Sequence, residues 1–77
     1  MATVEVRLNT LEKVRNFVTL MSAEEGDFML AEDGVFVNAK SIMSIFAMNL
    51  TKNLKLQINN SDKPMDQLMV QLKPFLA

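Results

Sequence analysis

Polar and apolar residues alternate in several short segments of this chain, and a period of two is typical of half-buried β-strands. In the first segment, Glu5 and Arg7 stand between three apolar residues. The predicted strands are 3–8, 27–31, 35–37 and 54–58. The dipeptide Asp33-Gly34 predicts a tight turn, so the second and third strands should form a hairpin.

Apolar residues recur every three or four positions in three other segments, which indicates one apolar stripe on each of three helices. The stripes are Leu11, Val14, Phe17, Val18 and Met21; Ile42, Met43, Ile45, Phe46 and Met48; and Met65, Leu68, Met69, Leu72 and Phe75 or Leu76. Residues that suit a helix start precede each stripe. These are Asn9 and Thr10, then Ser41, then Pro64.

The order of predicted elements is therefore β-α-β-β-α-β-α. Strands with one apolar face and helices with one apolar stripe are both satisfied when helices pack on one side of an antiparallel sheet. We predict an α+β open-faced β-sandwich, with a four-stranded antiparallel sheet and three helices on one face. One domain should span residues 1–77, because 77 residues are too few for two cores.

The amino-acid composition excludes several kinds of catalytic and structural chemistry. The chain has no cysteine and no histidine, so disulfides, thiolate nucleophiles and a Ser-His-Asp arrangement are excluded. Its net charge is −1, without a basic stripe, and we expect no direct nucleic-acid partner. No apolar run has the length of a membrane span or signal peptide, so we expect a cytoplasmic protein. Neither a metal nor a cofactor is predicted.

The segment Val37–Met43, V-N-A-K-S-I-M, carries a resemblance to a known family. It resembles the regulatory-serine region of HPr, the small phosphocarrier of the bacterial phosphotransferase system. The predicted element order is also similar to that of HPr, and the resemblance covers essentially the whole chain. It implies an open-faced sandwich and protein partners within or around the phosphotransferase system.

One departure from the family changes the expected function. HPr proteins open their first helix with G-L-H-A-R-P, in which the His accepts the phosphoryl group and the Arg holds it. Aligned without gaps, Thr10 occupies the His position here and Glu12 occupies the Arg position. A carboxylate repels phosphate, and a threonine phosphate is an inert ester. We therefore predict no phosphocarrier activity and no enzyme; Thr10 is interpreted as a helix cap.

The resemblance implies two functional features in the second half of the chain. Ser41 matches the serine that a dedicated HPr kinase phosphorylates in many family members, and the adjacent Lys40 is expected to take part in partner binding. Ile42, Met43 and Phe46 match an exposed apolar patch that binds partner proteins, while Ile45 and Met48 are expected in the core. The alternative is that these three are ordinary core residues too. Three readings stay open: a regulatory protein controlled at Ser41, a binding module in which Ser41 is only a cap, and an ordinary phosphocarrier. The missing His disfavours the third.

Several polar residues are expected to have no functional role. The acidic pairs Glu24-Glu25 and Glu32-Asp33 are predicted to be solvated turn charges. Three lysines, at positions 52, 55 and 63, are predicted to be solvated as well, where they could protect a sheet edge. Asn49 and Asn53 replace family glycines, and we expect positive φ angles there.

Overall fold

The computed structural model describes residues 2–77. That part of the chain forms four strands, three α-helices and one 3-10 helix, in the predicted order. Their bounds are β1 Ala2–Val6, α1 Leu11–Ala23, β2 Gly26–Glu32, β3 Val35–Asn38, α2 Ile42–Phe46, β4 Leu54–Ser61, α3 Met65–Leu72 and the 3-10 helix Lys73–Phe75. The predicted α+β class is confirmed.

The strands form a single antiparallel sheet in the order β1-β4-β2-β3. β1 pairs with β4, with Val4 opposite Leu56, and β4 pairs with β2, with Leu56 opposite Leu30. β2 and β3 form the predicted hairpin, with Leu30 opposite Val37. The topology places β1 and β3 at the two edges.

One face of the sheet carries the hydrophobic core, because paired residues direct their side chains to the same side. Apolar side chains from the strands pack there against the helices. The buried cluster comprises Val6, Leu8, Val14, Phe17, Met21, Phe28, Leu30, Ala39, Ile45, Met48, Leu54, Leu56, Ile58, Leu68, Leu72 and Phe75. Phe17 and Phe75 pack edge to face, with ring centroids 5.5 Å apart. On the open face, Thr3, Glu5 and Lys55 are exposed.

The first strand is shorter than predicted, since it ends at Val6 while Leu8 is buried just beyond it. Pairing stops there because Leu54, the partner of Val6, is the first residue of β4. The C-terminal residues run beside the same end of β1. The Arg7 N–H donates to the Phe75 carbonyl at 2.7 Å, and the Ala77 N–H donates to the Glu5 carbonyl at 3.1 Å. The end of the chain thus covers part of this sheet edge.

The fourth strand is longer than predicted, since it continues beyond residue 58 to Ser61. Gly26 and Asp27 extend β2 to pair with Ser61 and Asn60, across a register shift between Asp27 and Phe28. Only glycine fits at position 26, because a Cβ there would lie 2.2 Å from the Asn60 carbonyl oxygen. A close backbone approach is therefore what allows the longer strand.

The turns agree only in part with expectation. Asp33 (φ 49°) and Gly34 (φ 81°) make the predicted two-residue hairpin turn. The expectation of positive φ at Asn49 and Asn53 is wrong, since Asp33 is the sole non-glycine residue with positive φ among residues 2–77. The Asn49 side chain instead accepts hydrogen bonds from the N–H and hydroxyl of Thr51.

Each helix in the described residues falls short of the length and apolar character needed to cross a membrane.

Candidate protein-docking surface on α2

Thr10 caps the first helix. Its backbone is extended and its Oγ1 accepts a hydrogen bond from the Lys13 N–H at 3.1 Å. This bond satisfies one of the free N–H groups at the helix start, as the cap interpretation requires. Since its hydroxyl oxygen is engaged by the backbone, Thr10 has a structural role at the start of α1.

A groove of about 590 Å³ lies beside Thr10, between α1 and the C-terminal segment. Glu12 and Lys13 line its polar side, and Phe75 and Pro74 line its apolar side. Glu12 is exposed in the first turn of α1. Glu12 contributes a carboxylate and Lys13 an ammonium group, so the polar side of this groove carries both signs of charge.

Ser41 lies at the start of α2, as predicted, but its side chain makes no capping hydrogen bond. The Ser41 hydroxyl donates to the Ser44 hydroxyl at 3.0 Å instead. Its backbone carbonyl accepts from the Ile45 N–H. The hydroxyl is partly exposed and is not needed to satisfy the helix end.

Lys40 is folded back onto the protein. Its Nζ donates to the Glu24 carbonyl at 2.8 Å and lies 5.6 Å from the centroid of the Phe28 ring. The ammonium group of a lysine in this position is already engaged by acceptors within the molecule. Lys40 therefore orients the start of α2 against the α1–β2 connection.

The apolar side chains of α2 are divided between the core and the surface, as predicted. Ile45 holds α2 to the core and is fully buried, and Ile42 is partly buried against it. Met43 is 77% exposed and Phe46 is 42% exposed. Neighbouring apolar side chains that face solvent are typical of protein-binding surfaces, and methionine adapts its shape to a partner. We call Ile42, Met43 and Phe46 the α2 patch.

The expectation that Glu24 is a solvated turn charge is wrong. Its side chain is 8% exposed, and the Lys63 Nζ lies 2.5 Å from Glu24 Oε1. That approach does not have the direction of a hydrogen bond, so Oε1 is paired by charge alone. Lys63 also donates to Gln71 Oε1 at 2.9 Å. The residues that follow Glu24 lie against the end of β4, since the Asp62 N–H donates to the Glu25 carbonyl at 3.1 Å and Gly26 pairs with Ser61.

Asp33 forms an ion pair that sequence reasoning missed. The Lys52 Nζ donates to Asp33 Oδ2 at 3.1 Å. This hydrogen bond lowers the pKa of Asp33, and the same bond raises the pKa of Lys52. The pKa of Glu32 is raised, by loss of hydration and then by its contact with Asp33. The pair joins the hairpin turn to the loop before β4, which no local sequence pattern indicates.

The fold and surface define a small α+β protein with an apolar patch on its shortest α-helix. No family model, curated protein or solved structure matches the chain.

Proposed function

We propose that this protein is an HPr-like regulatory domain that binds a partner protein through the α2 patch. Phosphorylation of Ser41 by an HPr-type kinase controls that binding. The protein acts in the cytoplasm and is neither a phosphocarrier nor an enzyme. The observation that carries the proposal is the exposure of Met43 and Phe46 directly after a serine whose side chain makes no capping hydrogen bond.

Two features support control at Ser41 over the reading in which this serine is only a cap. The hydroxyl is partly exposed and bonds only to another hydroxyl, that of Ser44. A phosphate there adds about −1.5 to −2 charge at neutral pH next to the exposed Met43. Charge at the rim of an apolar patch changes which partners dock, because charges set specificity at interfaces.

The resemblance supplies the class of partner. The residues 37–43 match HPr where family members meet their kinase, and the His and Arg of the phosphocarrier loop are replaced by Thr10 and Glu12. The partners we propose are an HPr kinase/phosphatase, a transcriptional regulator and enzymes of the phosphotransferase system.

Incubation with a purified HPr kinase/phosphatase and ATP tests this proposal by intact mass. We expect one phosphate on the wild-type chain and none on Ser41→Ala. Ser44→Ala is the matched control, since it removes the neighbouring hydroxyl and should still be modified. An unmodified chain, under conditions that modify a conventional HPr, would contradict control at Ser41 and favour an unmodified binding module.

A further inference from the structure

The two edges of the sheet differ in whether other residues cover them. The C-terminal residues cover the end of β1 through hydrogen bonds at Glu5 and Arg7. β3 is last in the strand order at the opposite edge, and in the described part of the chain no other strand pairs with its outer side. β3 is therefore the open edge of this sheet.

The pairing of β3 with β2 determines which backbone groups face outward. The Ala39 N–H donates to the Phe28 carbonyl at 3.0 Å, and the register continues with Val37 opposite Leu30. In an antiparallel pair, alternate residues exchange hydrogen bonds with the partner strand. Val37 therefore bonds to β2, and the N–H and carbonyl of Phe36 point away from the sheet.

The side chains of β3 make this edge apolar. Phe36 is 57% exposed on the open face, and Val35 is 50% exposed. Edge strands of monomeric proteins are usually protected by charge, proline or a bulge, and β3 reads V-F-V-N without any of these. Of the lysines that we expected near an edge, Lys55 lies in the central strand β4, and Lys52 reaches only the turn before β3, where it bonds to Asp33.

We propose that β3 is a dimerisation strand, through which two copies of this chain join their sheets in antiparallel fashion. A two-fold axis at Phe36 places this residue opposite its counterpart, and the two residues exchange both free backbone hydrogen bonds. Asn38 then lies opposite Gly34, and Val35 lies opposite Val37.

Charge and shape favour a second copy as the occupant. The turn before β3 is net acidic, because Lys52 pairs with Asp33 and Glu32 adds a second carboxylate. Lys40, two residues after β3, keeps its positive charge while it donates to the neutral Glu24 carbonyl. An antiparallel partner brings the acidic end of one strand to the basic end of the other, so the edge is complementary to itself. The two Phe36 rings meet on the open face, and aromatic cross-strand pairs stabilise a sheet. A net charge of −1 per chain adds little repulsion.

This dimer goes beyond the proposed function and does not depend on it. α2 lies on the core face of the sheet, where Ile45 is buried, whereas Phe36 belongs to the opposite face. Substitution of Phe36 therefore leaves the α2 patch in place, and either proposal can fail without the other.

Single cysteines provide a test of the register, because the chain has none of its own. In the proposed pairing the two Phe36 Cα atoms are about 5.5 Å apart, which a disulfide spans. The two Asn38 Cα atoms are about 13 Å apart, which is too far for a disulfide to span. Under mild oxidation we expect Phe36→Cys to form covalent dimers at least ten times faster than Asn38→Cys. Equal rates would overturn the proposal.

Sedimentation equilibrium from micromolar to millimolar protein gives a second test. We expect the wild-type chain to dimerise with rising concentration and Phe36→Lys to weaken association at least tenfold. Thr3→Lys is the control, since it adds the same charge to the open face at the other edge. A wild-type chain that stays monomeric throughout would overturn the proposal and favour a peptide from another protein as the occupant of this edge. Equal effects of the two lysine variants would overturn it as well.

Discussion

The Lys63 Nζ lies 2.5 Å from Oε1 of Glu24, a carboxylate whose side chain is only 8% exposed. Lys63→Met removes the positive partner and leaves a charge buried. We expect a loss of about 1–3 kcal/mol in the free energy of unfolding, because an unpaired buried charged group carries its full desolvation penalty. Denaturant unfolding measures it. Lys73→Met, at an exposed lysine, should change stability by less than about 0.5 kcal/mol. Equal effects of the two variants would show that the buried pair is unimportant.

The two glycines of the chain should respond differently to alanine. A Cβ at position 26 would lie 2.2 Å from a backbone oxygen, whereas one at position 34 meets nothing within 4 Å. We expect Gly34→Ala to cost about 1 kcal/mol through its positive φ, and Gly26→Ala to cost more than twice as much. Thermal unfolding compares them directly. A smaller loss for Gly26→Ala would refute the close crossing of β2 and β4.

The caps of α1 and α2 should also differ. Thr10 accepts a bond from a helical N–H and the Ser41 side chain does not. Thr10→Ala should cost about 1 kcal/mol, Thr10→Ser should cost little, and Ser41→Ala should cost less than Thr10→Ala. The free energy of unfolding from urea titration decides the order. An equal loss at both alanine variants would mean that Ser41 is a cap after all.

The two carboxyl groups at the hairpin turn should make the stability of the fold depend on pH. Asp33 has a lowered pKa because Lys52 donates to it, so this group stabilises the fold above its unfolded pKa. That contribution is lost as the pH falls through the folded value. The pKa of Glu32 is raised, so the contribution of Glu32 to stability increases as the pH falls and the group becomes protonated, which is opposite to that of Asp33. Carboxyl ¹³C shifts should show Asp33 titrating well below Glu32.

Lys52→Met checks the cause of these two shifts. Removal of the ammonium should raise the pKa of both Asp33 and Glu32, since Lys52 lowers each of them. Lys55→Met, in the central strand of the same sheet, serves as the control. If neither pKa moves in Lys52→Met, then the ion pair is absent in solution.

Periodicity and turn chemistry were sufficient to predict the elements of this fold. Each strand and helix needs only local alternation, an apolar stripe or an Asp-Gly turn, all of which are readable in sequence. The extension of β4 was missed because it depends on the contact of Gly26 with Asn60, more than thirty residues away. The pairing of Val6 with Leu76 was missed for the same reason.

The candidate surface was predictable to a lesser degree. Because a short helix buries only one side, the apolar stripe predicts Ile45 in the core and Met43 and Phe46 partly outside, and this prediction is confirmed. The degree of exposure of each side chain depends on packing and was not predictable. Glu24 looked like a turn charge because its partner, Lys63, comes from a distant loop. Likewise, a serine before a helix predicts a cap, and the bond to Ser44 that replaces this cap has no sequence signature.

Binding at the α2 patch is the central claim, and amide NMR with a purified HPr kinase/phosphatase tests it most directly. We expect titration of the ¹⁵N-labelled chain to shift the amides of residues 41–47 first. Met43→Ser should weaken binding by about fivefold or more, as loss of an interface anchor does. Val70→Ser is matched in exposure, at 73% against 77%, and should bind normally. Shifts centred on Thr10 or Phe36, with Met43→Ser binding as tightly as wild type, would contradict the claim.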